Sequence, residues 1–308
     1  MRIYRHFRQS NDITLFKGDC RNLLKEMPDE SVDLVVTSPP YCMGKAYEDP
    51  RNDISYFVKQ HESIFEDIYR VVRRGGSICW QVGYHVSNSC VVPLDIVVYD
   101  LFINRSKHKE YPLILRNRII WTFGHGLNGT KRFSGRHETI LWFTKGEQTV
   151  FNLDDVRVPQ KYPGKKAYRG KHKGEYSGNP KGKNPSDVWD IPNVKAHHVE
   201  KTCHPCQFPV ALPQRLIKAL SPSDGLVLDP FMGVGSTGVA SILESRRFVG
   251  SEIVKEYYDI AYSRVFDALN GAAVVRDDKP VQSPSKGSAV AKLPEEFRIV
   301  RGQNDGKK

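Results

Sequence analysis

The segment Thr37 to Tyr41, with the sequence TSPPY, carries residue types suited to holding an amino group. It follows Asp33 and the apolar run Leu34 to Val36, which predicts a buried strand. Two consecutive prolines fix φ and remove two backbone N–H donors, so the turn presents carbonyl oxygens and a serine hydroxyl without competing donors. A Pro-Pro pair alone often only ends a strand, whereas the five residues together are far more specific. The candidate catalytic residues are therefore Ser38, Pro39, Pro40 and Tyr41.

A second candidate site lies late in the chain, where residues 227–238 read VLDPFMGVGSTG. This pattern predicts a strand, a glycine-rich turn and the start of a helix, where backbone can approach a ligand closely. Gly233, Gly235 and Gly238 satisfy the dinucleotide fingerprint, and Glu252 ends the next predicted strand, in position to bind ribose hydroxyls. A nicotinamide-binding domain needs several further βα units after this turn, but one strand and one helix remain. The order of elements therefore argues against a dehydrogenase.

A basic segment separates the two motifs. Residues 161–183 contain eight Lys and Arg residues, the single acid Glu175 and three tyrosines, with too little apolar surface for a core of their own. Basic groups neutralise phosphates and tyrosines stack on bases, although a solvated surface loop is the alternative interpretation. We favour contact with nucleic acid. The candidate nucleic-acid-binding residues are Lys161, Lys165, Lys166, Arg169, Lys171, Lys173, Lys181 and Lys183.

Cysteine and histidine cluster near residue 203. Cys203, His204 and Cys206, with His197 and His198 nearby, could be read as zinc ligands. The chain lacks a second cysteine pair at the spacing of a zinc finger, so we predict no metal site.

Apolar periodicity indicates the elements that must position these residues. Strands are predicted over 13–17, 32–36, 77–82, 118–123, 138–143, 226–228 and 248–252, and helices over 21–26, 54–74, 209–220, 236–245 and 255–269. We expect Gly75-Gly76 to end the second helix, and the strands over 118–123 and 138–143 to form a hairpin around a glycine-rich loop. Short strands alternating with helices predict an α/β fold with a largely parallel sheet.

Composition limits the class of protein. The length of 308 residues suits one large α/β domain with an elaboration, or two domains. The apolar fraction of 39% is enough to form a core, and the formal charge is +11. No apolar run reaches the ~20 residues of a membrane helix, and no apolar segment follows the basic start, so we expect neither a membrane segment nor secretion. Six scattered cysteines indicate a reduced, intracellular protein, and the positive charge favours a polyanionic partner.

The motifs resemble those of the amino-group DNA methyltransferases that use S-adenosylmethionine. Ser38 to Tyr41 resembles their catalytic motif, D/N/S-P-P-Y/F, and Asp229 to Gly235 (DPFMGVG) resembles their cofactor loop. The catalytic motif comes first, with the basic segment between, which is the order of the β class. The resemblance covers roughly residues 11 to 268. It implies a Rossmann-like methyltransferase sheet, mostly parallel and circularly permuted, with a basic target-recognition insertion.

The resemblance also implies roles for individual residues. Asp19 matches the acid that contacts the cofactor's adenine, and Glu252 takes the ribose-binding position. In the segment 204–209 (HPCQFP), Phe208 replaces the Lys of the family's H-P-T-Q-K-P, so backbone or hydroxyl groups must serve the cofactor carboxylate. Residues 118–121 and 136–138 resemble segments that border the target pocket. The cofactor-binding set is Asp19, Asp229, Phe231, Gly233, Gly235, Ser236, Thr237 and Glu252.

The chain is thus expected to move a methyl group from S-adenosylmethionine to an exocyclic amino group of double-stranded DNA, on a flipped base stacked by Tyr41. Serine in the first motif position favours cytosine N4 in this family. Residues 184–189, residues 204–209 and the layout look closer to adenine enzymes, and on these we favour adenine N6. Cytosine N4 methylation, RNA methylation and an inactive nucleic-acid-binding protein are the alternatives.

The expected organisation has four parts. Residues 1–150 form the catalytic half, 151–202 the basic target-recognition insertion, 203–270 the cofactor-binding half and 271–308 a flexible tail. We expect a place in the bacterial cytosol or nucleoid within a restriction-modification system, and a homodimer is an open alternative to a monomer.

Overall fold

The computed structural model describes residues 1–41, 53–87, 90–124, 126, 128–195 and 197–276. These residues all belong to one compact unit. The predicted tail lies outside the described residues from position 277 onward.

Eleven strands and seven helices are formed by the described residues. The strands are β1 (Ile3–Tyr4), β2 (Ile13–Lys17), β3 (Val32–Thr37), β4 (Val72–Val82), β5 (Tyr84–Ser87), β6 (Cys90–Pro93), β7 (Leu113–Thr122), β8 (His137–Lys145), β9 (Val188–Asp190), β10 (Leu226–Asp229) and β11 (Arg247–Glu252). The helices are α1 (Cys20–Glu26), α2 (Ile54–Val71), α3 (Leu94–Ser106), α4 (Leu153–Val156), α5 (Ala211–Leu220), α6 (Ser236–Leu243) and α7 (Lys255–Leu269).

One nine-stranded sheet organises the described chain, in the order β1-β2-β11-β10-β3-β4-β8-β7-β9. Six neighbouring strands of the sheet are parallel: β1, β2, β11, β10, β3 and β4. Strand β8 is antiparallel to both of its neighbours, β4 and β7. The late strands β10 and β11 lie between the early strands β2 and β3, with Val227 opposite Leu34 and Phe248 opposite Ile13. The two halves of the chain therefore complete one sheet, which confirms the predicted α/β, mostly parallel and permuted fold.

Both faces of the sheet are covered by helices. Side chains alternate between the faces along a strand, so Leu34 packs in one buried cluster with α5, α6 and α7, and its neighbour Val35 packs in another with α1, α2 and α3. Val227 and Leu228 divide in the same way. Near-continuous apolar runs are what strands buried on both faces require.

The second predicted helix is shorter than expected. It ends at Val71, because Val72 already has extended backbone and pairs with Val32 of β3. The expected stop at Gly75-Gly76 was therefore wrong, and both glycines lie within β4. Gly75 has φ of +75°, and a Cβ on Gly76 would lie 2.8 Å from a Val72 methyl, so the irregular strand needs glycine at both positions.

The predicted hairpin of β7 and β8 is confirmed, with Ile119 opposite Ile140. Because β8 is antiparallel to β4, its first residues lie beside the last residues of β4. The hairpin thus brings its loop to the sheet edge at which β4 ends. No helix among the described residues is both long and apolar enough to span a bilayer.

Candidate active site

A cavity of about 520 Å³ lies at the edge of the sheet where four adjacent parallel strands, β2, β11, β10 and β3, end. Open α/β sheets bind ligands beyond the carboxyl ends of their strands. All four predicted catalytic residues line the cavity, together with five of the predicted cofactor residues. These nine are Ser38, Pro39, Pro40, Tyr41, Asp19, Phe231, Gly233, Ser236 and Glu252. Two motifs that are distant in sequence therefore meet in one space.

Asp229 lies behind the cavity rather than on its wall. Its side chain is fully buried, and its two carboxylate oxygens accept hydrogen bonds from the hydroxyls of Thr37 and Thr237, each at 2.6 Å. The backbone N–H of Phe231 donates to the same carboxylate at 3.1 Å. Burial outweighs these three donors and raises the pKa of Asp229 to about 6. Asp229 and Thr237 thus position the loop, and neither is among the cavity-lining residues.

The glycine-rich turn between β10 and α6 has left-handed backbone at two residues. Gly233 has φ of +51° and Gly235 has φ of +80°, a region that side chains disfavour. A Cβ on Gly235 would also lie 3.1 Å from Ala261 Cβ, so this glycine lets α7 pack against the turn rather than lining the cavity. Ser236 begins α6 and donates a hydrogen bond to the Phe208 carbonyl at 2.9 Å, which ties the turn to the HPCQFP segment.

Two carboxylates lie at the end of the cavity formed by β2 and β11. Asp19 is the N-cap of α1 and accepts a hydrogen bond from the Arg21 backbone N–H at 2.9 Å, while the Arg21 guanidinium pairs with its carboxylate and lowers its pKa. Glu252 Oε1 accepts from the Val254 N–H at 2.7 Å, and burial raises the Glu252 pKa. Carboxylates accept hydrogen bonds from hydroxyl and amino groups. The pair and the glycine turn therefore fit the adenosine of S-adenosylmethionine.

Polar groups at the other end of the cavity form a connected set. Ser38 Oγ lies 3.1 Å from the Tyr41 hydroxyl, which lies 3.4 Å from Glu138 Oε2. The Gln81 amide also donates to Glu138. Trp121 completes this end of the wall. The structure thus brings the 136–138 segment to the predicted catalytic turn, at the edge where β8 begins.

Several cavity residues were not predicted. Tyr56 and Gln60 come from the first turns of α2, Gln81 from the end of β4, Lys195 from the segment after β9, and Tyr257 from α7. Lys195 brings a cation to a cavity in which Phe208 replaces the expected lysine. The sequence marks none of them, because each lies on an element that reaches the cavity only through long-range strand order.

The cysteine-histidine segment has other partners. Cys203 Sγ lies 3.3 Å from Glu256 Oε1, and the His204 ring packs on Tyr257 with 4.5 Å between ring centroids. Burial lowers the pKa of His204 to about 4. Within the described residues, no three His, Cys, Asp or Glu side chains converge to hold a metal.

The basic segment 161–183 is an exposed loop with local backbone pairing. Lys166 pairs with Tyr176 in an isolated bridge, and the Ala167 N–H donates to the Glu175 carbonyl at 2.8 Å. All eight of its candidate DNA-binding side chains are exposed, and none lines the cavity. Lys181 pairs with Asp154. Three tyrosines are also exposed: Tyr162, Tyr168 and Tyr176.

Sequence comparisons agree with this geometry. A family model for N6/N4 DNA methylases matches residues 32–263. The type II methyltransferase M.BglII of Bacillus subtilis is 46% identical over 249 residues, 80% of this chain and 67% of that protein. The type II methyltransferase M.ScaI of Streptomyces caespitosus is 39% identical, with 83% and 82% covered. The DNA adenine methyltransferase YhdJ of Escherichia coli K12 is 31% identical, with 82% of each chain covered.

Solved structures share the fold. PvuII DNA methyltransferase, which is cytosine-N4-specific, superposes with a TM-score of 0.64 at 20% identity, over 85% of this chain and 93% of that one. The Thermus thermophilus protein TTHA0409, crystallised with S-adenosyl-L-methionine, superposes with a TM-score of 0.57 at 25% identity, over 83% and 96%. The chain therefore belongs to the N6/N4 family of DNA methylases and is an S-adenosylmethionine-dependent DNA methyltransferase.

Proposed function

We propose that this enzyme methylates cytosine at N4, on a base turned out of double-stranded DNA into the cavity. The observation that carries this choice is the place of Ser38 on the cavity wall, in a turn that offers neutral acceptors to an amino group. Serine at this motif position is associated with cytosine in the family that the chain resembles. The residue that points to cytosine is therefore one that can contact the base.

The features that favoured adenine lie elsewhere. Residues 184–189 lead into β9 and do not line the cavity, and the Trp189 indole is buried and donates to the Ser186 carbonyl. Residues 204–208 lie beside the glycine turn, on the side of the cavity that fits the cofactor. Neither segment is placed to distinguish two bases. Adenine N6 is the second candidate, supported by the 31% identity to a DNA adenine methyltransferase.

The chemistry begins with an amino nitrogen whose lone pair is delocalised into the ring. Ser38 Oγ and the Pro39 carbonyl each accept one N–H, which favours a pyramidal nitrogen and aims its lone pair across the cavity. S-adenosylmethionine supplies an electrophilic methyl group. The cavity residues Asp19, Gly233 and Glu252 would hold it. Positioning and electrostatics then suffice for direct transfer without a covalent enzyme intermediate.

The nitrogen that gains a methyl group must lose a proton. A serine hydroxyl cannot keep this proton at neutral pH. It can accept the proton only while it donates its own proton to a neighbouring group. Ser38 Oγ lies 3.1 Å from the Tyr41 hydroxyl, and Tyr41 lies 3.4 Å from Glu138 Oε2. We propose that the proton moves from nitrogen to Ser38 as the Ser38 proton moves to Tyr41 and the Tyr41 proton to Glu138.

Base-resolved modification mapping of DNA from cells that express the protein tests the assignment. We expect N4-methylcytosine within one short sequence, and a much lower modified fraction in cells that express Ser38→Ala at the same level. N6-methyladenine in its place would select the second candidate. A methyl group transferred to RNA alone, or to no nucleic acid, would contradict the proposal.

Two further proposals accompany the reaction. The type II methyltransferases among the relatives support a role in modifying the recognition sequence of a restriction enzyme in the bacterial cytoplasm. The segment 161–183 is proposed as part of the DNA contact, because its eight cations and three tyrosines are exposed together. The homodimer stays a prediction.

A further inference from the structure

The loop between β7 and β8 presents a phenylalanine to solvent. Phe133 is 99% exposed, more than any other large apolar side chain among the described residues. Single exposed apolar side chains are ordinary on protein surfaces, so exposure alone carries little information. The position of this one is informative, because the loop joins two walls of the active-site cavity.

Both ends of the loop are anchored at the cavity. Phe123 and Glu138, which flank the loop, line the cavity, and the Phe123 N–H donates to the Arg136 carbonyl at 3.0 Å. Phe133 is three residues from Arg136, so their Cα atoms lie within about 11 Å of each other. A DNA duplex that places one of its bases in the cavity therefore lies close to the Phe133 ring.

Residues 128–136 of the loop are held in shape by their own contacts. The Gly129 N–H donates to Ser134 Oγ at 3.0 Å, and the Arg136 guanidinium donates to Asn128 Oδ1 at 2.7 Å. A Cβ on Gly135 would lie 1.5 Å from the Tyr84 hydroxyl, so the loop backbone packs closely against the Tyr84 side chain of β5 at this glycine. The loop thus holds its apolar side chain in water rather than turning it inward.

Two cations precede Phe133 directly in the loop. Lys131 and Arg132 are both exposed, and the Arg132 guanidinium lies 5.8 Å from the centre of the Tyr84 ring. Cations bind phosphates, and apolar side chains that enter DNA stack between base pairs. The pattern of one aromatic side chain beside two cations fits a nucleic acid duplex better than an apolar protein surface.

We propose that Phe133 enters the DNA helix at the position the flipped base leaves, and stacks between the neighbouring base pairs while Lys131 contacts a phosphate. This inference rests on the proposed function, because it requires a target base in the cavity. Flipping costs the pairing and stacking of that base, and an aromatic ring in the gap restores part of the stacking. The residue would therefore favour the flipped state without touching the target base.

The test compares two duplexes that carry the recognition sequence found by modification mapping. In one the target base is paired normally, and in the other it lies opposite an abasic site, so that flipping breaks no base pair. On the paired duplex, Phe133→Ala should lower both the affinity and the single-turnover rate by about 10- to 100-fold. On the abasic duplex the loss should shrink to about 3-fold or less, and Phe133→Trp should stay near the parent on both.

Two control variants separate this stacking role from other roles. Phe266→Ala removes a phenylalanine that is 52% exposed on α7 and does not line the cavity, and should bind both duplexes as the parent does. Lys131→Ala should weaken binding to both duplexes equally, with a lower salt dependence, as removal of a phosphate-binding cation predicts.

Several outcomes would overturn the inference. If Phe133→Ala lost the same affinity and rate on both duplexes, Phe133 would make an ordinary surface contact with DNA. If the variant lost neither on either duplex, Phe133 would lie outside the interface. A change in sedimentation on Phe133→Ala would assign the ring to a second copy of this chain. If the parent methylates neither duplex, the proposed function itself fails. If the parent methylates both duplexes and Phe133→Ala is no less impaired on the abasic duplex than on the paired one, only the stacking role is contradicted.

Discussion

Thr37 Oγ1 donates a 2.6 Å hydrogen bond to Asp229 Oδ1, which joins the last residue of β3 to the last residue of β10. The catalytic turn follows the first of these residues, and the cofactor turn follows the second. The other carboxylate oxygen receives the Thr237 hydroxyl, so one buried carboxylate fixes the starts of both turns and of α6. Asp229 is therefore placed to support both turns from behind the cavity wall.

The buried Asp229 should make stability depend on pH in an unusual direction. Its pKa in the folded protein, about 6, is above its ordinary value of 3.8, so its contribution is fully present only well below pH 3.8 and is lost as pH rises through 6. The free energy of unfolding of the parent should fall by about 2 kcal/mol relative to Asp229→Asn between pH 4 and pH 7. Urea denaturation across that range measures the difference, and a constant difference would contradict the assignment.

Ser38→Ala should affect transfer and leave cofactor binding intact. The variant deletes one acceptor for the amino group and touches neither Asp229 nor Glu252. We expect single-turnover methyl transfer to fall by about 100-fold or more, the scale for one preorganised polar contact. Calorimetry should give an unchanged cofactor affinity. A rate within a few-fold of the parent would show that the hydroxyl is not an acceptor in the reaction.

The sequence predicted those cavity residues that belong to a turn directly after a strand, and missed those that meet only through strand pairing. The turns after β3 and β10 are local motifs, and residues of both line the cavity. Gln81 and Glu138 meet only because β4 and β8 pair antiparallel, with Gln81 opposite Ile140. Asp229 was predicted to bind the cofactor because it belongs to the motif. Only the packed structure shows that its side chain lies behind the cavity and does not line it.

The boundary of α2 illustrates the same limit. A helical pattern runs through residue 74 and a glycine pair follows, which is a normal stop signal. Pairing of Val72 with Val32 takes precedence, since strand contacts across the sheet are invisible to a local window. Each predicted strand and helix forms with the predicted type, whereas α3 and the short elements β1, β5, β6, β9 and α4 were not predicted. The end of α2 depended on tertiary structure.

Glu138→Gln tests the proposed proton path. The variant keeps the shape of the side chain and removes the final acceptor, so the rate of transfer at neutral pH should fall by about 100-fold. Tyr41→Phe should reproduce this loss, because it removes the hydroxyl that links Ser38 to Glu138. Glu147→Gln changes an exposed carboxylate next to β8 and should retain the parent rate. A rate of Glu138→Gln within a few-fold of the parent would exclude the path.

Glu252→Ala acts at the cofactor end of the cavity. Removing a carboxylate positioned for the ribose should weaken binding of S-adenosylmethionine by roughly 10- to 100-fold while affinity for DNA stays similar. Glu26→Ala removes an exposed carboxylate at the far end of α1 and serves as the control for charge. Calorimetry decides: undiminished cofactor binding, or newly acquired binding of a nicotinamide dinucleotide, would contradict the ribose role.

The exposed loop 161–183 should govern the salt dependence of DNA binding. Replacing Lys165, Lys166, Arg169 and Lys171 by Ala removes four exposed cations that lie outside the cavity. The slope of log affinity against log salt should fall by about 0.9 for each phosphate that the variant no longer neutralises, and sequence preference should relax with it if the loop also reads bases. Affinity for the cofactor should stay constant, because none of the four lines the cavity.

A second four-site variant provides the matched control for net charge. Lys25, Arg105, Lys107 and Lys218 lie at the C-terminal ends of α1, α3 and α5. Helices that cross over between parallel strands run back along the sheet, so these ends lie opposite the cavity. This variant loses the same formal charge and should keep the parent salt slope. If the two variants have equal slopes, the loop acts only through total charge, and the DNA contacts must come from other cations of this basic chain.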